Sequence, residues 1–571
     1  MNRFADAIAT KLAVAARLPL ERVQELLSVP PNEDMGDYAM PCFALAKERR
    51  QNPVAIAAQI AAAIAADLEA GGDIAVVESA GPYVNFRLDR SRYIAAVVGQ
   101  VLQEGAGYGS RNQGTGKTMV IDYSSPNLAK PFSIAHLRST AIGNAIYRVH
   151  AFLGWNCVGV NHLGDWGANF GQLLAAYRMW ADPDKVKADP IPELLSLYVR
   201  FNAELEDKPE LQDEARECLR RLEEGDEEMR GLWSYFVEEG HKEAQRIYDI
   251  LGISFDVTMG ESAFADKLDG VVAYFEKAGL ALESDGALIV NLEAEGLEAP
   301  CMLRSSRGTS TYHSRDLAAL LYRRETYGFD KMVYVTDVSQ TLHFRQVFKA
   351  LELAGADWAA GCEHAPFGLM SFKGGKISTR QGNMVILEDV LDQATELTLK
   401  IIEEKNPDLE GKEDIARQVG VSAVVFADLD TRRTRNVVFD WEEVLNFDGE
   451  TGPYLQYTHA RFCSILRRYG SAVGADTDLS PLKEAAEMRV ARVLAAWPGR
   501  LEQAALENEP SVVSTYLIEL AAAANKFYNE LPVLVADNPE TAAARAALVE
   551  AVRGVLRGGM DLLGMRAPES M

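Results

Sequence analysis

A short apolar run at residues 118–121 is followed by a polar stretch. Beyond it Leu137, Ala141, Ala145, Val149 and Leu153 recur at every fourth position, up to Gly154. The run reads as a buried strand, and the recurrence as one face of an amphipathic helix closed by glycine. Residues 158–160 read as a second strand, so the unit is strand–loop–helix–strand. Residues 1–108 alternate helical patterns (4–17, 54–69, 90–104) with short strands (74–79, 83–88) and read as a small α+β domain; the glycine-rich 105–117 is its linker. Residues 180–250 are dense in Glu, Leu and Arg at helical spacing and read as a helical insertion. Alternation resumes with a helix over 314–326, a strand at 332–336, a helix at 341–354 and a strand at 367–372. From 386 onward only helical patterns are found, ending in an Ala-rich bundle over 484–571.

The polar stretch between the first strand and its helix is where chemistry is expected. Free backbone N–H groups and the helix dipole favour an anion there, and Lys130 and His136 flank the helix start. A second basic loop, residues 373–382, carries Lys376, Ser378 and Arg380, with Gly374, Gly375 and Gly382 to let its backbone approach phosphate. Alone it reads equally well as a solvated basic turn. Together the two loops point to one nucleotide held between two halves of a sheet.

These loops resemble the HIGH and KMSKS regions of class I aminoacyl-tRNA synthetases. The surrounding residues resemble the arginyl-tRNA synthetases: Ser124-Ser-Pro-Asn-Leu-Ala-Lys-Pro-Phe132, His136-Leu-Arg-Ser-Thr140, Asn161-His-Leu-Gly-Asp-Trp-Gly167, Tyr312-His-Ser-Arg-Asp316, Gly452-Pro-Tyr-Leu-Gln-Tyr457 and the terminal Ala567-Pro-Glu-Ser-Met571. The resemblance spans essentially the whole chain, with the motifs in the family's order. Two departures from the general class I pattern, at three positions, stand out. Ser133 and Ala135 replace the first histidine and the glycine of HIGH. Thr379 stands where most class I enzymes carry a second lysine, which is typical of arginyl enzymes, and Lys130 matches the upstream lysine thought to supply the missing charge.

The resemblance implies an α/β fold: a class I Rossmann-like catalytic core over 118–385, an N-terminal α+β domain over 1–108 that contacts tRNA, a helical connector over 386–450, and a C-terminal all-α helical-bundle domain over 451–571 that binds the anticodon. It implies ATP with Mg²⁺, L-arginine and tRNA(Arg) as cofactor and partners, and a monomer. Lys130, Ser133, His136, Lys376, Ser378 and Arg380 are the expected catalytic residues. Ala135, His162 and Gly164 join Lys130, Ser133, His136 and Lys376 around ATP. Asp122, Asn127, Tyr312, Asp316 and Gln340 are the expected arginine pocket, because a planar guanidinium calls for a carboxylate. Tyr454, Tyr457, Arg461, Phe527 and Tyr528 are the candidates for stacking on anticodon bases; aromatics at helical spacing are equally often plain core. A non-catalytic tRNA-binding paralogue and a nucleotidylyltransferase are the alternative readings.

Composition adds limits. A chain of 571 residues exceeds one core. Hydrophobic residues at 48% and charged residues at 25% fit a soluble protein, and no apolar run is long enough to span a bilayer. Six scattered cysteines (42, 157, 218, 301, 362, 463) without a C-x-x-C pair argue for a reducing cytoplasm and against a zinc knuckle or disulfide framework. The net charge of −25 opposes non-specific RNA binding but leaves room for a local basic patch.

Overall fold

The computed structural model describes residues 3–30, 32–373, 385–535 and 538–571. The chain separates into two compact units, one formed by 1–108, 462–496 and 519–555, the other by 109–461, 497–518 and 556–571. The long C-terminal helices Gly452–Tyr469, Ala485–Glu507, Ser511–Glu530 and Pro539–Leu562 therefore contribute residues to both units.

The first unit has a three-stranded antiparallel sheet in which Tyr83–Leu88 lies between Tyr38–Pro41 and Ile74–Ala80. Helices Arg3–Ala16, Pro53–Ala65 and Arg90–Glu104 supply its apolar faces, with Phe4, Ile8, Leu12, Ile56, Ile60, Ile64, Ile94 and Val98 buried. Two of these helices start where the sequence supplies a cap. The Asn52 side chain accepts from the Val54 N–H at 2.9 Å, and Asp89 accepts from the Arg92 N–H at 2.9 Å.

The second unit is built on a five-stranded parallel sheet. Its strands are β1 (Thr118–Asp122), β2 (Asn156–Leu163), β3 (Val257–Gly260), β4 (Lys331–Tyr334) and β5 (Cys362–His364), in the spatial order β5-β4-β1-β2-β3. The chain grows outward from β1 through β2 to β3, then returns to place β4 on the other side of β1. The reversal falls between β1 and β4, and such sheets bind ligands at the carboxyl ends of the strands there. Met119, Val120 and Ile121 are fully buried, as expected of a strand covered on both faces.

Helix α1 (Ile134–Phe152) connects β1 to β2, and its buried stripe includes Leu137, Ala141, Ala145 and Val149, followed by Leu153 just past its end. Gly143 lets it close on the sheet: a Cβ there would lie 2.2 Å from the Tyr123 Cβ. Four helices, Pro183–Ala188, Pro190–Asp207, Leu211–Glu224 and Glu227–Leu251, form the insertion. A small antiparallel sheet (Ala281–Ser284, Ala287–Val290, Cys301–Arg304) precedes α2 (Tyr312–Tyr327), and α3 (Thr341–Leu353) links β4 to β5.

Two expectations are corrected. The strand expected at 367–372 is only Met370–Phe372, which pairs outside the main sheet with Val437–Phe439. That partner lies in the region expected to be wholly helical, and the fifth strand of the main sheet is instead Cys362–His364. Short strands form where a partner edge is offered, a context that local pattern does not contain.

Candidate active site

The loop after β1 is held in a costly conformation. Ser124 and Ser125 have φ of 67° and 49°, sparsely populated for residues with a Cβ. The Ser124 N–H donates to Ser139 Oγ at 2.9 Å and the Ser125 N–H to Asn161 Oδ1 at 3.2 Å, so α1 and β2 over-determine the turn. Asn127 continues it: its Oδ1 accepts from the Ala129 N–H at 3.0 Å, and its backbone bridges Gly164 at the end of β2. A Cβ on Gly164 would meet the Asn127 Cα at 3.1 Å.

At the start of α1 the Ser133 N–H donates to His136 Nδ1 at 3.0 Å. Nδ1 is thereby an acceptor, which leaves the ring proton on Nε2. Burial lowers the His136 pKa to about 4; the Ser133 contact opposes this and the Lys130 charge adds to it. His136 is therefore a neutral N–H donor at pH 7. The Lys130 ammonium lies 5.4 Å from the ring centre of Tyr198, which belongs to the insertion helix Pro190–Asp207. Ala135 is exposed in the first turn of α1.

Lys376, Ser378 and Arg380 fall in 374–384, outside the described residues. The two ends of that segment are described. On its N-terminal side the Lys373 N–H donates to the Phe439 carbonyl at 3.0 Å, and its ammonium meets Asp440 at 2.6 Å. On its C-terminal side Val385 O accepts from the Ile134 N–H at 3.0 Å, and the Leu387 N–H donates to Phe132 O at 3.0 Å. The exit of the second loop is thus paired to the turn that opens α1.

Arg138, one helical turn beyond Ile134, fixes the other side. Its buried guanidinium meets Asp428 Oδ1 at 2.6 Å and donates to the carbonyls of Gly368 at 2.6 Å and Arg435 at 2.9 Å. Removing one partner of such a buried pair typically costs about 3–5 kcal/mol.

Four carboxylates gather at the carboxyl edge of the sheet, and their partners differ. Asp122 at the end of β1 is buried, with one oxygen 2.7 Å from the Arg323 guanidinium and the other accepting from Ser125 Oγ at 2.7 Å. Asp165 accepts from the Ser262 N–H at 2.8 Å and from its hydroxyl at 2.5 Å. Glu261 faces Arg315 at 3.1 Å, and its pKa is raised to about 6 by burial, with Arg315 opposing and Asp316 reinforcing the shift. Asp316 in the first turns of α2 has, among the described residues, a histidine as its partner: His343 Nε2 lies 2.6 Å from its Oδ2. Burial works to raise the Asp316 pKa, but His343, His162 and Arg323 outweigh it and hold the carboxyl below its usual value. Asp316 is therefore ionised and, among the described residues, meets no arginine or lysine.

The family described as "tRNA synthetases class I (R), catalytic domain" matches residues 97–441, which contain all of these groups. The chain belongs to the arginyl-tRNA synthetases. The family's N-terminal domain matches residues 2–88, and the DALR anticodon binding domain matches 455–571. An arginine–tRNA ligase of Clostridium botulinum (strain 657 / Type Ba4) is 45% identical over 568 residues, covering 100% of both chains. One of Clostridioides difficile (strain 630) is 46% identical over 554 residues, covering 97% of each. The solved Thermus thermophilus arginyl-tRNA synthetase superposes with a TM-score of 0.78 at 28% identity, over 99% of each chain.

In this synthetase the remaining expected site residues are placed unevenly. Tyr312, the first residue of α2, is 74% exposed and has the Arg315 guanidinium 6.0 Å from its ring centre. Gln340, just before α3, is exposed. His162 lies on β2 with its pKa lowered by burial and by Arg323; its backbone N–H donates to Ser125 Oγ at 3.2 Å. Of the RNA candidates, Tyr457 is 41% exposed and carries the Arg461 guanidinium 4.8 Å from its ring centre, and Tyr454 lies on the same helix, half-buried. Phe527, by contrast, is 1% exposed and is core, which removes it as a stacking surface; Tyr528 beside it is half-buried. Sequence reasoning missed Arg323, Glu261 and Arg315 as parts of this neighbourhood. Arg323 had a local signal, since it lies on the buried face of α2 with Leu317 and Leu320, where an arginine needs a partner.

Proposed function

We propose residue roles for the reaction of this family. The chain is an arginine–tRNA ligase: it activates L-arginine with ATP and transfers it to tRNA(Arg). The arginine carboxylate attacks the α-phosphorus, the bond to the β-phosphate breaks, and pyrophosphate leaves with its electron pair. A terminal ribose hydroxyl of the tRNA then attacks the arginyl carbonyl and AMP leaves. Such chemistry needs groups held in place and positive charge more than it needs covalent participation.

The observation that carries the assignment is the contrast among the four carboxylates. Among the described residues Asp316 meets no arginine or lysine and, unlike Asp165, whose two oxygens are both taken by Ser262, is hydrogen-bonded at Oδ2 alone, so it receives the substrate guanidinium, and Tyr312, Gln340 and Asn127 line the space around it. Asp122 acts at one remove, by holding Arg323. The first turn of α1 takes the triphosphate: His136 donates from Nε2, Lys130 supplies charge, and Ser133 sets the imidazole. Ala135, His162 and Gly164 adjoin the nucleoside. Lys376, Ser378 and Arg380 serve the phosphates from the second loop, whose exit at Val385 is tied to this same turn. Tyr454, Tyr457, Arg461 and Tyr528 serve anticodon recognition, and the Tyr457–Arg461 stack is the firmest candidate among them.

Magnesium belongs to the substrate, as magnesium–ATP. Among the described residues no group of three or more His, Cys, Asp or Glu is set to hold an ion, and Mg²⁺ commonly binds through phosphates and waters. The enzyme works as a monomer in the cytoplasm; the six free cysteines support the compartment. Among the described residues no helix is long and apolar enough to cross a membrane. Arginine-dependent ATP–pyrophosphate exchange with and without tRNA(Arg) tests the activity. Exchange is expected only with both arginine and tRNA present; its absence under those conditions would leave a tRNA-binding protein without catalysis.

A further inference from the structure

Asp316 does not stand by itself on α2. Its Oδ2 accepts from His343 Nε2 at 2.6 Å. A carboxylate only accepts, so the His343 proton resides on Nε2. The His343 ring packs against His313 with centroids 4.6 Å apart and against Phe344 at 5.1 Å. His313 is fixed in turn: its Nε2 lies 3.1 Å from Gln346 Oε1. The Gln346 amide nitrogen donates to the carbonyls of Ala299 at 2.7 Å and Pro300 at 3.0 Å. Those two bonds settle which end of the amide is oxygen, and hence that His313 donates to it. The chain of contacts runs from the backbone before Cys301 through Gln346, His313 and His343 to one oxygen of Asp316.

We propose that His343 is a positioning residue for arginine recognition. By occupying Oδ2 with an N–H donor it sets the rotation of the Asp316 carboxyl and leaves Oδ1 to meet the substrate guanidinium. A lysine or arginine at position 343 would neutralise Asp316, and an apolar residue would leave the carboxylate unoriented. Histidine supplies direction without a permanent charge. The planar guanidinium binds through a rigid fork, so the rotation of its acceptor matters more than it would for an ammonium. This inference rests on the assignment of Asp316 to the guanidinium.

The test measures arginine KM, ATP KM and kcat by tRNA-dependent pyrophosphate exchange in the full chain. The variants are His343→Ala, His343→Phe, His343→Gln, Asp316→Asn and His343→Ala combined with Asp316→Asn. His343→Ala should raise arginine KM by about 10- to 100-fold, the range for losing a hydrogen bond to a charged group, with ATP KM unchanged and kcat within about threefold. His343→Phe keeps a ring against His313 and removes the donor; it should match His343→Ala and serves in its place if that variant does not fold. His343→Gln restores a donor and should recover most of the affinity. In the Asp316→Asn background the loss of His343 should add less than about twofold, because coupled residues do not add. A raised KM in Asp316→Asn beside a normal KM in His343→Ala and His343→Phe overturns this inference alone. Equal damage to arginine KM, ATP KM and kcat, without rescue by Gln, overturns it as well and makes His343 a packing residue. A normal KM in Asp316→Asn removes the underlying pocket assignment and this inference with it.

Discussion

The end of β1 and the start of α2 each present an aspartate at the carboxyl edge of one sheet, and the two are put to opposite uses. Asp122 is closed off: a buried arginine takes one oxygen and a serine hydroxyl the other. Asp316 keeps a histidine on one oxygen and, among the described residues, no bond on the other. The same distinction separates Arg138, committed to Asp428, from Lys130, whose recorded neighbour is the face of a tyrosine. A charge paired with a charge belongs to the fold. A charge with one side left open is placed but still available, which is what a ligand or a transition state requires. The pairing of each ionisable group therefore says more about its role than its distance from the presumed ligand.

The contrast breaks most visibly at Asp122. Replacing it with alanine strands Arg323 in the core, and losing one partner of a buried ion pair costs about 3–5 kcal/mol. Asp122→Ala should therefore show a large fall in its urea unfolding midpoint. Asp122→Leu combined with Arg323→Met should recover much of that loss, since apolar replacement of both partners is often neutral. If Asp122→Ala unfolds like the parent and loses arginine affinity instead, the two aspartates must exchange roles.

Asp316→Asn is the mirror experiment. A guanidinium bound beside an amide loses its counter-charge, so kcat/KM for arginine should fall by about two to three decades. The unfolding midpoint should barely move, because no buried cation is orphaned. Parent-like arginine kinetics would take Asp316 out of the pocket and leave Glu261 as the carboxylate to examine.

Much of this architecture was legible in the sequence, for identifiable reasons. The stripe Leu137, Ala141, Ala145, Val149 and Leu153 announced α1, because one apolar face of a helix leaves a periodic mark. The loop between β1 and α1 was readable because a helix start after a buried strand has fixed anion chemistry. Cys362–His364 was not readable, since three residues containing Glu and His carry no alternation. The pairing of Val437–Phe439 with Met370–Phe372 was invisible because it depends on a distant edge. The family resemblance placed Asp122 in the arginine pocket; its partner Arg323 lies far along the chain, and no local pattern connects the two. Phe527 had the spacing of both a core residue and a stacking platform, and only burial decides between them. Asp316 stood out through its motif alone; nothing local links it to its partner His343.

Lys130 extends the comparison to positive charge. If it stabilises the phosphoryl group as charge develops, Lys130→Ala should lower kcat by about 10²–10³, a loss of about 2.7–4 kcal/mol in the transition state. The effect on arginine KM should be smaller. Adding Thr379→Lys should restore part of the rate, because a charge would return from the second loop. A parent-like kcat in Lys130→Ala makes Lys130 an ordinary surface lysine.

The smallest effect is expected at Tyr198, where the comparison is most exposed to error. The ring holds the Lys130 ammonium at 5.4 Å without neutralising it, and such cation–π contacts contribute about 0.5–1 kcal/mol at accessible sites. The Tyr198 hydroxyl also donates to Asn169 Oδ1 at 3.2 Å, which ties the insertion to the helix Ala168–Trp180. The two contributions separate by substitution. Tyr198→Phe keeps the ring and should leave kcat unchanged, whereas Tyr198→Leu removes it and should lower kcat by about two- to fivefold. In the Lys130→Ala background Tyr198→Leu should have no further effect, since the ring would have nothing left to hold. Equal losses in Tyr198→Phe and Tyr198→Leu would trace the effect to the Asn169 hydrogen bond. The insertion would then support the site by packing alone, and Lys130 would be held by something other than an aromatic face.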